Sequence, residues 1–179
     1  MHDIGTALLY VTFVATFGTA LCALAGARLQ SPGLLAASRH GLVATWLLGL
    51  AMGACLVFGL VTHDFSNRYI SAYTDADMPL AYLLAGFWGG EKGALLFWVV
   101  ALSTFSVVAV LRNRTQTPVF LGWVTGFLTL AIGFFALLMV FESNPFEVFT
   151  ASAGPVDGKG MNPLLQNPLM AIHPPSLLT

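Results

Sequence analysis

The sequence predicts an all-α fold: a polytopic membrane helix bundle of about four spanning helices, with a short interfacial helix and an outward-facing irregular loop. Three observations predict it. Apolar residues make up 57% of the 179 positions and charged residues only 8%, against about 25% charged in a soluble domain. Apolar runs near the ~20 residues that cross a ~30 Å hydrocarbon core recur at about 4–27, 42–62, 94–111 and 119–141. Charge is also sorted by loop, basic residues to one side and acidic residues to the other. Residues 1–179 read as a single membrane domain with outer loops at 63–79 and 142–173. A net charge of -1 without a basic patch excludes nucleic acid as a partner, because binding a phosphate backbone needs clustered Lys and Arg.

The first run, Ile4 to Ala27, lacks a basic leader and exceeds the about 7–15 residues of a signal-peptide core. It is therefore expected to stay as a span. Cys22 and Cys55 fall inside the first and second runs, at depths that differ by roughly 13 Å at 1.5 Å per residue. A disulfide needs Cα atoms within about 7 Å, so both read as small buried apolar residues. No CxxCH is present, so the chain is not itself a c-type cytochrome.

Orientation follows from the arginines. Arg28 and Arg39 lie between the first two runs, and Arg112 and Arg114 between the last two. All eight acidic residues lie on the other side. The positive-inside rule then places the amino terminus and both outer loops outward, on the periplasmic side of a bacterial inner (cytoplasmic) membrane.

Between the second and third runs lies LAYLLAGFWGGEKGALLFW, residues 80–98. A single helix from Leu80 to Leu111 would be ~48 Å long, well beyond the core thickness. Gly89-Gly90 and Gly93 mark the break, which predicts a short interfacial helix over Leu80–Trp88 and a true span from Ala94. Glu91 and Lys92 then stand at the head of that span. They read either as a ligand- or proton-handling pair or as an interfacial acid beside a snorkelling lysine. Trp88 and Trp98 suit the interfacial aromatic belt, and Trp88 with Phe87 could instead floor a flat aromatic ligand. His2 is expected to be terminal and mobile, His40 to belong to the basic inner side, and His63 to open the outer loop. Gly122, Gly126 and Gly133 in the fourth run, with Gly49, Gly53 and Gly59 in the second, are spaced for close helix packing.

The last stretch, MNPLLQNPLMAIHPP at 161–175, is neither a span nor a charged loop. Asn162-Pro163 and Asn167-Pro168 are turn signals. Pro174 pushes His173 out of the α region and itself suits the first turn of a helix. The imidazole of His173 is thus expected on a stiff backbone at the outer membrane surface, at the entrance to a further helix.

Three blocks together resemble the amino-terminal part of the CcmF/NrfE-type cytochrome c haem lyases: HDFSNRY…MPLAYLLAGFWGGEKGALLFW at 63–98, SNPFE at 143–147, and PVDGKGMNPLLQNPLMAIHPPSLL at 155–178. Their order and spacing agree with that family over essentially the whole chain. The resemblance implies a multi-span membrane protein that takes haem from a membrane-anchored haem chaperone and delivers it to apocytochrome c, working with that protein's thiol-handling delivery partners. It implies haem as the cofactor and, for His173, the external axial ligand of the HPP motif. Trp88 and Glu91 are further candidate haem contacts, although the family commonly carries its acid one place later. That step turns a side chain about 100° around a helix. The tryptophan-rich signature and the remaining histidines lie downstream in the family, so the chain is expected to be one portion of a lyase, ending a few residues into a fifth span.

Two other classes compete. A transporter or proton-translocating subunit would use Glu91 and Lys92 near a broken helix, but no ionisable residue sits at mid-membrane in the four runs. A purely structural anchor for partner proteins would need none of these residues.

Overall fold

The computed structural model describes residues 2–150 and 154–166, and among them every long element is helical. Four long helices form the bundle: α1 (His2–Leu29), α2 (Pro32–Val61), α5 (Glu91–Arg112) and α6 (Pro118–Phe141). Each is long and apolar enough to cross a membrane. Two short helices, α3 (Arg68–Tyr73) and α4 (Leu80–Ala85), cap one end, and a 3-10 turn runs over Pro163–Gln166. α1 and α5 each pack against both α2 and α6. Phe58, Phe105, Phe127, Phe134 and Leu21 stay exposed on the outside of the bundle. Such a surface is suited to lipid, where every backbone group is already satisfied within its own helix.

Local chemistry sets the helix ends. Gln30 adopts φ 50, Ser31 is extended, and Pro32 opens α2 as its first helical residue, the position proline tolerates best. The connection between α1 and α2 is therefore two residues long. Arg39 and His40, expected in a loop, stand within α2. Helix and hydrophobic span differ here because nothing stops a helix from continuing past the hydrocarbon core. Gly90 is extended and Glu91 lies in the first turn of α5, where a carboxylate favours the positive end of the helix dipole. The Thr117 side chain accepts from Phe120 N and Pro118 follows it, which starts α6 sharply.

Hydroxyls and glycines tune the interior. Thr12, Thr16 and Thr19 form a buried stripe on α1, each donating to the carbonyl four residues earlier at 2.6–2.7 Å. The polar atoms are satisfied without leaving the helix. A Cβ on Gly122 would lie 2.5 Å from Leu35 Cδ2, and one on Gly126 would collide with Leu24, so α6 approaches α1 and α2 through these gaps. Gly59 admits Ile70 in the same way at 2.6 Å, whereas Gly49 and Gly53 leave ordinary room at 3.6 Å. Cys22 and Cys55 are both free thiols.

The chain reverses at each connection, so the start of α1, the end of α2, the start of α5 and the end of α6 share one end, with α3 and α4. That end holds all eight acidic residues. The opposite end carries Arg28, Arg39, Arg112 and Arg114.

Candidate functional site

Asn67 organises the acidic end. It is 1% exposed and caps α3, its Oδ1 accepting from Tyr69 N at 2.8 Å and Ile70 N at 3.1 Å. Its Nδ2 donates to Pro145 O at 3.0 Å, so one side chain ties the α2–α3 turn to the segment after α6. Backbone bonds extend the seam: Arg68 N donates to Glu147 O at 2.9 Å, Phe149 N to Ser66 O at 3.2 Å, Lys159 N to Ser71 O at 2.7 Å and Gly160 N to Thr74 O at 3.1 Å. Asp157 Oδ1 accepts from Ala76 N at 2.9 Å. Residues 63–79 and the described parts of 142–166 thus form one shelf across the end of the bundle. Met161 is buried against Met78, Leu83 and Ala85, and Gln166 Nε2 donates to Met161 O at 3.1 Å. The chain that leads towards His173 is anchored to this shelf at Met161, and Gln166 bonds back to that residue. His173 itself lies outside the described residues.

Tyr69 joins the shelf to the glycine block. Its hydroxyl donates to Gly86 O at 2.7 Å and accepts from Gly90 N at 3.1 Å. A Cβ on Gly93 would strike that hydroxyl, and one on Gly90 would strike the Tyr73 ring. The two tyrosine rings lie 4.8 Å apart. The block reads as a helix break in sequence; in three dimensions it is also the notch that admits α3. Burial pushes the Tyr69 phenol well above its ordinary range, outweighing the opposing hydrogen bond from the Gly90 backbone.

Glu91 and Lys92 face different partners. Ser143 Oγ donates to Glu91 Oε1 at 2.8 Å, and Lys92 Nζ donates to Glu147 Oε2 at 2.6 Å, with Arg68 Nη1 3.9 Å from the same oxygen. Both therefore clip the head of α5 to the segment after α6. Trp88 is half-buried among Phe87 and Phe97, with ring centroids 6.5 and 6.1 Å away, at the seam between the main core and the Met161 cluster. Trp98 stacks on Phe135 at 5.5 Å, which joins α5 to α6.

The histidines divide sharply. His2 is not loose: its Nε2 lies 3.0 Å from Asp64 Oδ2 and 2.9 Å from Ser66 Oγ, because α1 starts directly beneath the α2–α3 turn. His63 adopts φ 51, and its Nε2 is buried without a hydrogen-bond partner. His40 lies at the opposite end. A neutral imidazole is the natural axial donor to haem iron, and on this shelf His2 is already engaged by a carboxylate. Among the described residues no group of three or more His, Cys, Asp or Glu is placed to hold a metal ion. Two of the clefts at this end flank the seam. One of about 170 Å³ is lined by Arg68, Tyr73 and Lys92, and one of about 280 Å³ by Asp75, Asp77, Tyr82 and Gln166. Both fall below the roughly 300–1,000 Å³ of a small-molecule site.

Asn67 and Tyr69 escape a reading of the sequence. An Asn one place before a helix is a capping signal, which was available in HDFSNRY. The partner of Tyr69 lies 21 residues away and leaves no local trace.

Residues 88–179 match the cytochrome C assembly protein family. The chain is 32% identical over 159 residues to a protein described as a probable cytochrome c-type biogenesis protein NrfE from Escherichia coli K12, covering 89% of this chain and 28% of that protein. It is 31% identical over 181 residues to the cytochrome c-type biogenesis protein CcmF of the same organism, covering 99% and 27%. The solved structure titled cytochrome c heme lyase CcmF superposes with a TM-score of 0.74 at 23% identity, over 99% of this chain and 27% of that one. The chain thus spans a little over a quarter of the length of these relatives. A shared fold, the three sequence blocks and the match over 88–179 agree: the chain belongs to the cytochrome c assembly protein family and is of the CcmF/NrfE type.

Proposed function

We propose that the chain is the part of a membrane haem lyase whose shelf and HPP segment receive haem and present it to apocytochrome c. The observation that carries the reading is the docking of Met161 onto a shelf at the acidic end, twelve residues before His173 in a segment that matches the family. In this reading the shelf faces the periplasm of a bacterial inner membrane, with the amino terminus and His173 on that side. Haem arrives as cargo from a membrane-anchored chaperone. His173 supplies an axial nitrogen to the iron, and the prolines after it reduce the entropy lost on binding. Trp88 offers an aromatic edge to the macrocycle, and Glu91 is a polar neighbour on the same shelf.

The reaction served is thioether formation. Each thiol of an apocytochrome CxxCH, kept reduced by thiol-handling delivery proteins, adds across a haem vinyl group. A carbon–sulfur bond forms, the thiol proton passes to the other vinyl carbon, and no oxidant is consumed. The geometry this needs is an open platform rather than a closed pocket, because a protein substrate must reach the haem edge. Nothing in the site favours the transporter alternative: Glu91 and Lys92 are tied to Ser143 and Glu147, not to a path through the bundle. The test is His173→Ala in the full-length protein, with haem content and cytochrome c maturation as readouts. Loss of both supports the reading, and retention of both removes it.

A further inference from the structure

We propose that the cleft at the arginine-bearing end is a binding site for the phosphate headgroup of an anionic membrane lipid. The proposal does not depend on the haem-lyase reading. The cleft measures about 340 Å³ and opens between α2, the end of α5 and the start of α6. Arg39, His40 and Arg114 line its rim, and Val43, Val110 and Leu121 its wall, with Val110 3% and Leu121 4% exposed.

Two independent features point to the ligand. Charge is the first. All eight acidic residues lie at the other end of the bundle, and among the described residues the ion pairs join only His2, Asp64, Arg68, Lys92 and Glu147. Arg39 and Arg114 are left without a carboxylate, while a guanidinium fork suits two phosphate oxygens. Depth is the second. Counting ~20 residues of core back from Val61 reaches about Leu42, so Arg39 and His40 lie within one turn beyond the hydrocarbon, at headgroup level. The apolar wall then continues in the direction of an acyl chain. Basic pockets between spanning helices are the geometry that holds anionic headgroups. A soluble phosphate would use the rim alone.

The test uses the full-length protein in nanodiscs of mixed phosphatidylglycerol and phosphatidylcholine, with retained lipid read by native mass spectrometry. Wild type is expected to retain phosphatidylglycerol in preference. The Arg39→Gln/Arg114→Gln variant should lose roughly thirtyfold of that preference, from the ~1 kcal/mol that each of the two basic residues contributes near an anionic surface. Arg28→Gln, which does not line the cleft, should keep it. Val43→Trp fills the wall while leaving both charges, and it too should lose the preference; it serves as the test if the double variant fails to fold. Equal retention of the two lipids by wild type, or an equal loss in Arg28→Gln, overturns the proposal. Displacement of phosphatidylglycerol by equimolar inorganic phosphate would mark a soluble-anion site and overturn the lipid assignment.

Discussion

Tyr69 shows how one side chain can hold the platform. Its hydroxyl satisfies a donor and an acceptor of the glycine block at once, so Tyr69→Phe leaves Gly86 O and Gly90 N buried without their partner. We expect a loss of about 1–3 kcal/mol, measured as a lower unfolding midpoint in detergent, with the four spans still helical by circular dichroism. The raised phenol also gives a pH signature. Burial keeps the hydroxyl neutral in the folded state while the unfolded chain ionises near pH 10, so this stabilisation is complete below about pH 10 and falls as pH rises beyond it. Tyr69→Phe should flatten that alkaline decline, and an unchanged decline would contradict the assignment. Lys92 behaves differently. Its bond to Glu147 is partly exposed, and such pairs contribute about 0–1 kcal/mol. Lys92→Ala should hardly move the midpoint. Glu91→Gln keeps an oxygen able to accept from Ser143, so cytochrome c maturation should persist; lost proton-coupled transport with intact haem handling would revive the transporter reading.

At the scale of elements, close approach decides more than hydrophobicity. α6 meets α1 and α2 through Gly122 and Gly126, where an added Cβ would press on Leu35 or Leu24. Gly126→Ala is expected to cost about 1–3 kcal/mol, as overpacking does, and to lower the yield of folded protein in membranes by fluorescence-detected chromatography. Gly53→Ala, which meets only ordinary contacts at 3.6 Å, is the matched control, and equal effects of the two would refute the packing argument. Glycine spacing in the sequence marks both positions alike, because spacing carries no information about what stands opposite. The long apolar runs revealed the spanning helices directly, since the bilayer fixes their length. They did not reveal the early start of α2 at Pro32, where Pro and Ser signalled a helix start but hydropathy had already faded.

For the whole molecule, charge asymmetry gives the two ends separate characters: an acidic shelf built from three distant segments, and a basic rim at the opposite end. The family blocks made the shelf legible as a functional region, yet not its construction. Asn67 reaching Pro145, and Met161 buried beside Leu83, are contacts between residues 78 positions apart or in different blocks, and no local pattern encodes such pairs. The imidazole that matters most to the proposed function, His173, is marked by sequence and family together. The most direct test of the account is the absorption spectrum of haem that copurifies with the full-length protein, compared between wild type and His173→Ala alongside the yield of mature cytochrome c. The variant is expected to lose most of the bound haem and to mature little cytochrome. A variant with the same haem spectrum and the same cytochrome yield would contradict it.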